Sequence, residues 1–406
     1  MENNTPLKRT LSLPQMILYG LGTTVGAGIY ALVGELAGIS GYLAPAAFLF
    51  AALLAGLTAF SFAELSCRYP RAAGAALYTQ QGFHSHKLTI IVGLLVITAG
   101  LVSSAALINA FSGYLNHITT LDSSTSIIIV SLFLIGIAIY GIAESIFLAS
   151  LITVIEVGGL VWIIFVGHDS LNQLSEIGSY MIPDFTLSSF SVIFAGALLA
   201  FYAFIGFEDM VDVAEEVENV KRNLPLAILF TLGITTLLYM IIMVIAVASI
   251  PPEELAQSKA PLATLFTLHT GQPATIISMI GMLAIINGSL IQIIMASRVI
   301  YGLSSRHQLP AILSYVNPKT QTPIIATVLA GLVVLLLALI GHLSTLAEIT
   351  SFIMLIVFSL VNLALWRIKR NEPSPEGCIT FPQWMPLLAL IVSSGFVILE
   401  ITKAII

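Results

Sequence analysis

Charge is the scarcest feature of this 406-residue chain: 15 Lys and Arg and 21 Asp and Glu make up only 9% of it. An ordinary soluble domain carries about 25%. A water-soluble protein of this size cannot clothe its surface with so few charges. A soluble enzyme, a nucleic-acid binder and a disordered chain are thereby excluded. Cysteine is nearly absent as well. Cys67 and Cys378 cannot build a disulfide framework and are read as ordinary small side chains. No pair among the seven histidines has metal-ligand spacing, so no metal site is expected. Ser-x-x-Lys, Gly-x-Ser-x-Gly and phosphate-cradling loops are missing too, so the usual signatures of a membrane enzyme are lacking and no cofactor is implied.

What is present is apolar: 58% of the residues are hydrophobic and the mean hydropathy is +1.01, values of an integral membrane protein. A helix needs about 20 apolar residues to cross the hydrocarbon. Eleven stretches meet that rule: 12–34, 42–65, 88–115, 125–143, 146–167, 188–212, 224–249, 274–303, 323–341, 346–366 and 383–402. Runs this long and continuous are helices, not the alternating strands of a barrel. The expected fold is all-α, one polytopic transmembrane domain over residues 1–406 with about eleven transmembrane helices. The connections near 168–187 and 250–273 are too short to hold a soluble domain. The polar stretch Met1 to Arg9 leads into an apolar run reaching about Gly34, which reads as a retained first span rather than a cleaved signal peptide.

The positions of Lys and Arg test this count. With a cytoplasmic N-terminus, thirteen of the fifteen fall on the inner side, and only Lys259 and Lys403 fall outside. That bias fits the positive-inside rule. A missed or invented span in the middle would have reversed it. An odd number of spans leaves the C-terminus outside.

Two runs contain residues that a membrane helix avoids. The first holds Gly20, Gly22, Gly26 and Gly28 around Thr23 and Thr24, and each glycine weakens a helix by roughly 1 kcal/mol relative to alanine. Close packing against another helix would explain them. So would an unwound break, whose free N–H groups and hydroxyls would suit an anionic group. The sixth run reads Phe201-Tyr202-Ala203-Phe204-Ile205-Gly206-Phe207-Glu208-Asp209-Met210, with Asp212 following. Each buried acid costs about 2.5–3.5 kcal/mol on insertion scales. These acids therefore sit either at the interface or against a water-filled cavity. The aromatics beside Gly206 serve either as packing or as a lid over a small ligand. The two unusual runs are five spans apart. Because five is odd, corresponding spans would run in opposite senses, the arrangement of inverted-repeat transporters. Mid-membrane in the fifth run stands Glu156, a candidate proton carrier or a carboxyl bonded to a neighbouring helix.

Through these residues the chain resembles the amino acid–polyamine–organocation superfamily, and within it bacterial permeases related to cationic amino-acid transporters. The resemblance is carried by Gly22-Thr23-Thr24-Val25-Gly26-Ala27-Gly28-Ile29-Tyr30, by Ala63 to Gly74, and by Phe201 to Asp209. It continues through Glu215 to Asn219, Leu224-Pro225, Ala260 to Ala263 and Asn317 to Pro323. The family order is kept from the first span to the start of the ninth. The resemblance implies a five-plus-five inverted repeat, with a first repeat over about 12–167, a second over about 188–366 and an extra helix over about 383–402. It implies discontinuous helices 1 and 6 and a central site between spans 1, 3, 6 and 8. Thr23, Thr24, Gly26, Ala27 and Gly28 would bind a substrate α-carboxylate. Phe204, Ile205 and Gly206 would offer carbonyls to the α-ammonium. Phe201, Tyr202 and Phe204 would form an aromatic gate, and Glu208 would contact a cationic side chain or line the inner path. Some proton-coupled relatives place a Lys in span 5 where this chain has Glu156.

The expected function is secondary active import of amino acids across the cell membrane by alternating access with a proton. The competing expectations are an ion-independent exchanger and, in a different class, a channel or a non-transporting amino-acid sensor. The expected partners are the amino acid, a proton and membrane lipid, with no nucleic acid.

Overall fold

The computed structural model describes residues 9–71, 74–140, 146–184, 186–305 and 309–405. Lys8, the Ala72-Ala73 step, the end of the fourth apolar run at 141–143 and Arg306 lie outside them. The first apolar run forms two helices, α1 (Leu13–Thr24) and α2 (Ala27–Ser40). α3 (Ala44–Arg68), the short α4 (Gly74–Phe83), α5 (His86–Ile118), α6 (Ser123–Tyr140) and α7 (Ile146–Gly167) follow. The sixth run is α8 (Leu187–Tyr202) followed by a 3-10 helix over Phe207–Glu216. The remainder is α9 (Val220–Ser249), α10 (Pro261–Thr270), α11 (Thr275–Ser305), α12 (Ile324–Ile340), α13 (Leu343–Asn371) and α14 (Trp384–Ile405).

The protein is all-helical: among the described residues there is no β-strand, only an isolated bridge between Leu11 and Val217. Nine helical segments among those residues are long and apolar enough to cross a membrane. The first, Gly28–Arg68, continues through the 3-10 turn Gly41–Leu43 and so takes in two of the eleven apolar runs. Helix α12 is apolar but only 17 residues long.

Local chemistry explains where helices start. Ser12 and Gln15 form a capping box ahead of α1, with Ser12 N donating to Gln15 Oε1 at 3.0 Å. Asp122 Oδ2 accepts from Thr125 N at 3.0 Å at the start of α6. The Thr125 hydroxyl and amide hold that carboxyl below its usual range. Between helices, packing relies on small residues, because lipid tails are as apolar as the side chains and close approach must supply the attraction. A Cβ on Gly82 of α4 would lie 2.5 Å from Cα of Ala364 on α13. The core is built where α5 lies along α11 and α13, and where α3 lies along α8 and α9.

One end of the bundle is held by a buried ion cluster. Glu64, fully buried on α3, accepts from Arg68 Nη2 at 2.6 Å, from Lys369 Nζ at 2.6 and 2.8 Å, and from Phe381 N at 2.9 Å. Arg68 also donates to the carbonyls of Glu372 and Pro373, and Lys369 to that of Phe381. The segment leading into α14 is thus clamped to the end of α3. The cysteines correct the sequence-based expectation. They are not independent small side chains, because Cys67 and Cys378 are joined in a disulfide with Cα atoms 5.6 Å apart, an ordinary span for such a bridge. They lie 311 residues apart in sequence, so no local pattern pairs them.

Glu64→Gln leaves Lys369 buried without its counter-charge and Arg68 with only the more distant Glu372 carboxylate, 3.9 Å away. Breaking such a cluster costs about 3–5 kcal/mol. A clear drop in thermal unfolding temperature in detergent is expected, and an unchanged midpoint would overturn this account of the clamp.

Candidate functional site

Helix α1 stops at Thr24 and α2 begins at Ala27, with Val25 and Gly26 between them. The interruption lies inside the glycine cluster because glycine gives up least by leaving the helix. Thr23 Oγ1 turns back to Gly20 O at 3.0 Å. The Thr24 hydroxyl has no hydrogen-bond partner among the described residues although Thr24 is 3% exposed. Among the described residues no side chain caps the first turn of α2, so its leading N–H groups are the electropositive end of a 14-residue helix. A Cβ on Gly26 would meet nothing nearer than Gly22 O at 3.8 Å. A β-carbon would therefore fit at Gly26.

The second interruption runs from Ala203 to Gly206. Gly206 has φ +124°, a conformation that side chains other than hydrogen rarely adopt. A Cβ there would lie 2.2 Å from Thr23 O, and one on Gly28 would lie 2.7 Å from Cα of Ala203. The two breaks therefore touch, backbone to backbone. Glu208, 9% exposed, accepts from Gly206 N at 2.9 Å through Oε2. It thereby ties the second break to the 3-10 helix that follows.

Aromatic hydroxyls brace this centre. Tyr239 on α9 donates to Thr24 O at 2.9 Å, and its ring lies 5.4 Å from that of Phe204. The Tyr202 and Ser103 hydroxyls are 3.0 Å apart. Tyr30 donates to Glu156 O at 2.8 Å, and Tyr114 donates to Tyr30 O at 2.7 Å. Glu156 is fully buried on α7. One turn before it, Thr153 presses on Gly22 of α1. The structure thus brings Thr23, Thr24, Gly26, Gly28, Phe204 and Gly206 to one place, with Ala27 opening α2. Glu156 stands behind the first break. Phe201, by contrast, packs on Phe358 of α13 with centroids 5.8 Å apart.

The cavity nearest this centre lies at the end that carries Glu64 and Lys369. A cavity of about 530 Å³ between α4, α5, α11 and the 3-10 helix is lined by Glu208, Asp209, Asp212 and Gln80. A narrow continuation reaches Ile205, Ser103, Gln292 and Thr350. At the opposite end a separate cavity of about 380 Å³ touches Ala31, Glu35, Asn109 and Lys259. Between the two stand the Tyr30 bonds and the contact of Gly28 with Ala203.

Sequence reasoning missed Tyr30, Ser103, Tyr114 and Tyr239. Each occupies an ordinary helical position, and each acts on a residue at least 84 positions away. No spacing rule reaches that far.

The comparisons agree with this architecture. A family model described as amino acid permease matches residues 11–402. Cationic amino acid transporters 3 (mitochondrial) and 2 (vacuolar) of Arabidopsis thaliana are 28% and 29% identical over 92% and 91% of this chain. The chain spans 64% and 61% of their lengths. The branched-chain amino acid permease BcaP of Bacillus subtilis is 26% identical over 90% of this chain and 82% of its own. A match across nearly the whole length, on an all-helical fold with two touching helix breaks, shows that this chain belongs to the amino acid permease family of the amino acid–polyamine–organocation superfamily.

Proposed function

We propose that this protein imports amino acids across the cell membrane as a proton-coupled secondary transporter working by alternating access. The observation that carries the reading is the meeting of two helix breaks at Gly28–Ala203 and Gly206–Thr23. Two interrupted helices side by side present opposite partial charges to one ligand: N–H groups from one, carbonyls from the other. A zwitterion fits that pairing. In this reading the α-carboxylate sits at the start of α2, near Thr23, Thr24 and Gly26. The α-ammonium sits at the carbonyls of Phe204 to Gly206. Tyr202 and Phe204 border the ligand, and Glu208 lines the path to the basic end.

The proposal includes eleven crossings, with the first ten arranged as two inverted repeats of five. The basic end is assigned to the cytoplasm, as is the N-terminus, because the sequence-derived topology puts thirteen of fifteen basic residues on the inner side. With a cavity reaching Glu208 from that end, the described conformation is the inward-facing one. The opposite state requires the Tyr30 bonds and the Gly28–Ala203 contact to part. The names of the relatives, cationic and branched-chain amino acids, bracket the substrate range to be tested.

Uptake into proteoliposomes, with and without an imposed proton gradient, tests the coupling. Accumulation only with the gradient is expected, while gradient-independent exchange would replace symport by an exchanger. Glu156→Gln removes the candidate proton carrier without changing its shape. Transport by this variant is expected to lose its dependence on pH while still binding substrate. An unchanged pH profile would return Glu156 to a structural role.

A further inference from the structure

A second polar cavity lies away from the central site, at the basic end. It measures about 390 Å³ and is lined by Gln81, Gly82, His84, Arg367, Arg370 and Asn371 among others. No carboxylate lines it among the described residues. Arg367 and Arg370 are three residues apart near the end of α13, so their side chains share a helix face. The guanidinium of Arg367 lies 4.7 Å from the centroid of the Phe83 ring, and that of Arg370 lies 5.1 Å from Trp366. These cation–π contacts hold each fork in place without neutralising it.

The contrast with their neighbours is informative. Arg68 and Lys369, at the same end, both pair with Glu64. Arg367 and Arg370 form no ion pair among the described residues. The wall between the two helices is rigid, because Gly82 lets α4 lie directly on Ala364 of α13. Two positioned guanidinium forks, two side-chain amides and an imidazole around one polar hollow match a tetrahedral oxyanion with several acceptors. Trp366, beside the hollow, is the kind of residue that marks a membrane interface, and basic pockets at that depth suit phosphorylated head groups.

The geometry points to a phosphate-binding site between the end of α4 and the end of α13, separate from the transport site. The phosphate is carried either by an anionic phospholipid head group or by a small soluble phosphate. The bound anion bridges these two helix ends.

The test uses the full-length protein purified in detergent. Its thermal unfolding is followed against increasing short-chain phosphatidylglycerol, matched phosphatidylcholine, or inorganic phosphate. A saturable rise in midpoint with phosphatidylglycerol alone identifies a lipid site, whereas an equal rise with inorganic phosphate identifies a soluble one. In R367A/R370A the apparent affinity is expected to fall about thirtyfold, with the midpoint of the untreated protein close to wild type because both side chains are exposed. K221A/R222A removes the same charge elsewhere and is expected to respond like wild type. The proposal is overturned if neither phosphatidylglycerol nor phosphate shifts the wild type. It is equally overturned if R367A/R370A responds undiminished, or if K221A/R222A loses the response to the same extent.

Discussion

Gly206→Ala is expected to abolish amino-acid uptake and to lower thermal stability together. The alanine Cβ would sit 2.2 Å from Thr23 O and 2.7 Å from the Thr23 carbonyl carbon, and backbone atoms cannot swing aside as a flexible side chain can. The residue must also keep φ near +124°, and forcing a non-glycine residue into such a region costs about 1–3 kcal/mol. Both penalties are relieved only by separating the two breaks, which dismantles the proposed binding site. The measurement is initial uptake in proteoliposomes alongside the unfolding midpoint in detergent. Wild-type uptake by this variant would show that contact between the breaks is dispensable.

Gly26→Leu is expected to remove binding by a different route. A Cβ on Gly26 has room, the nearest described atom being Gly22 O at 3.8 Å, so leucine meets none of the backbone clash of Gly206→Ala and insertion is expected to be intact. Its side chain then fills the break and covers the N–H groups at the start of α2. Losing two hydrogen bonds to a carboxylate, at about 1.5–3 kcal/mol each, corresponds to a hundredfold or greater loss of affinity. The substrate-induced rise in midpoint, clear in the wild type, is expected to vanish. Undiminished binding would refute the assignment of the carboxylate to this break. Together the two variants separate architecture from recognition: one fails with a damaged fold, the other with an intact one.

Much of this was legible in the chain itself. The span-1 break stands out because Gly20, Gly22, Gly26 and Gly28 crowd into nine residues of an otherwise apolar helix. The span-6 break stands out because Glu208 and Asp209 follow Gly206 inside another. Such departures are visible because membrane helices are otherwise monotonous. The roles of Phe201 and Phe204 were not separable by the same reasoning. Both are aromatic and fully or nearly fully buried, yet Phe201 packs on α13 while Phe204 lies beside Tyr239 and Phe48 at the break. Which way a helix face turns is set by its neighbours, not by its composition.

The amino-acid sequence by itself determined the membrane class, the helical content and the skew of basic charge, and it marked two unusual runs without deciding between a break and close packing. All of these follow from local composition, because hydrocarbon exacts the same toll on every polar group along a span. Only the tertiary structure decided which residues meet. Glu64 with Lys369 across 305 positions, Cys67 with Cys378, Tyr30 with Glu156, and the hollow beneath Arg367 and Arg370 are of this kind. Helices in lipid gain little from apolar contact as such. Their pairing is chosen by shape and by a few polar bonds, and those bonds are specified only when distant parts of the chain have been brought together.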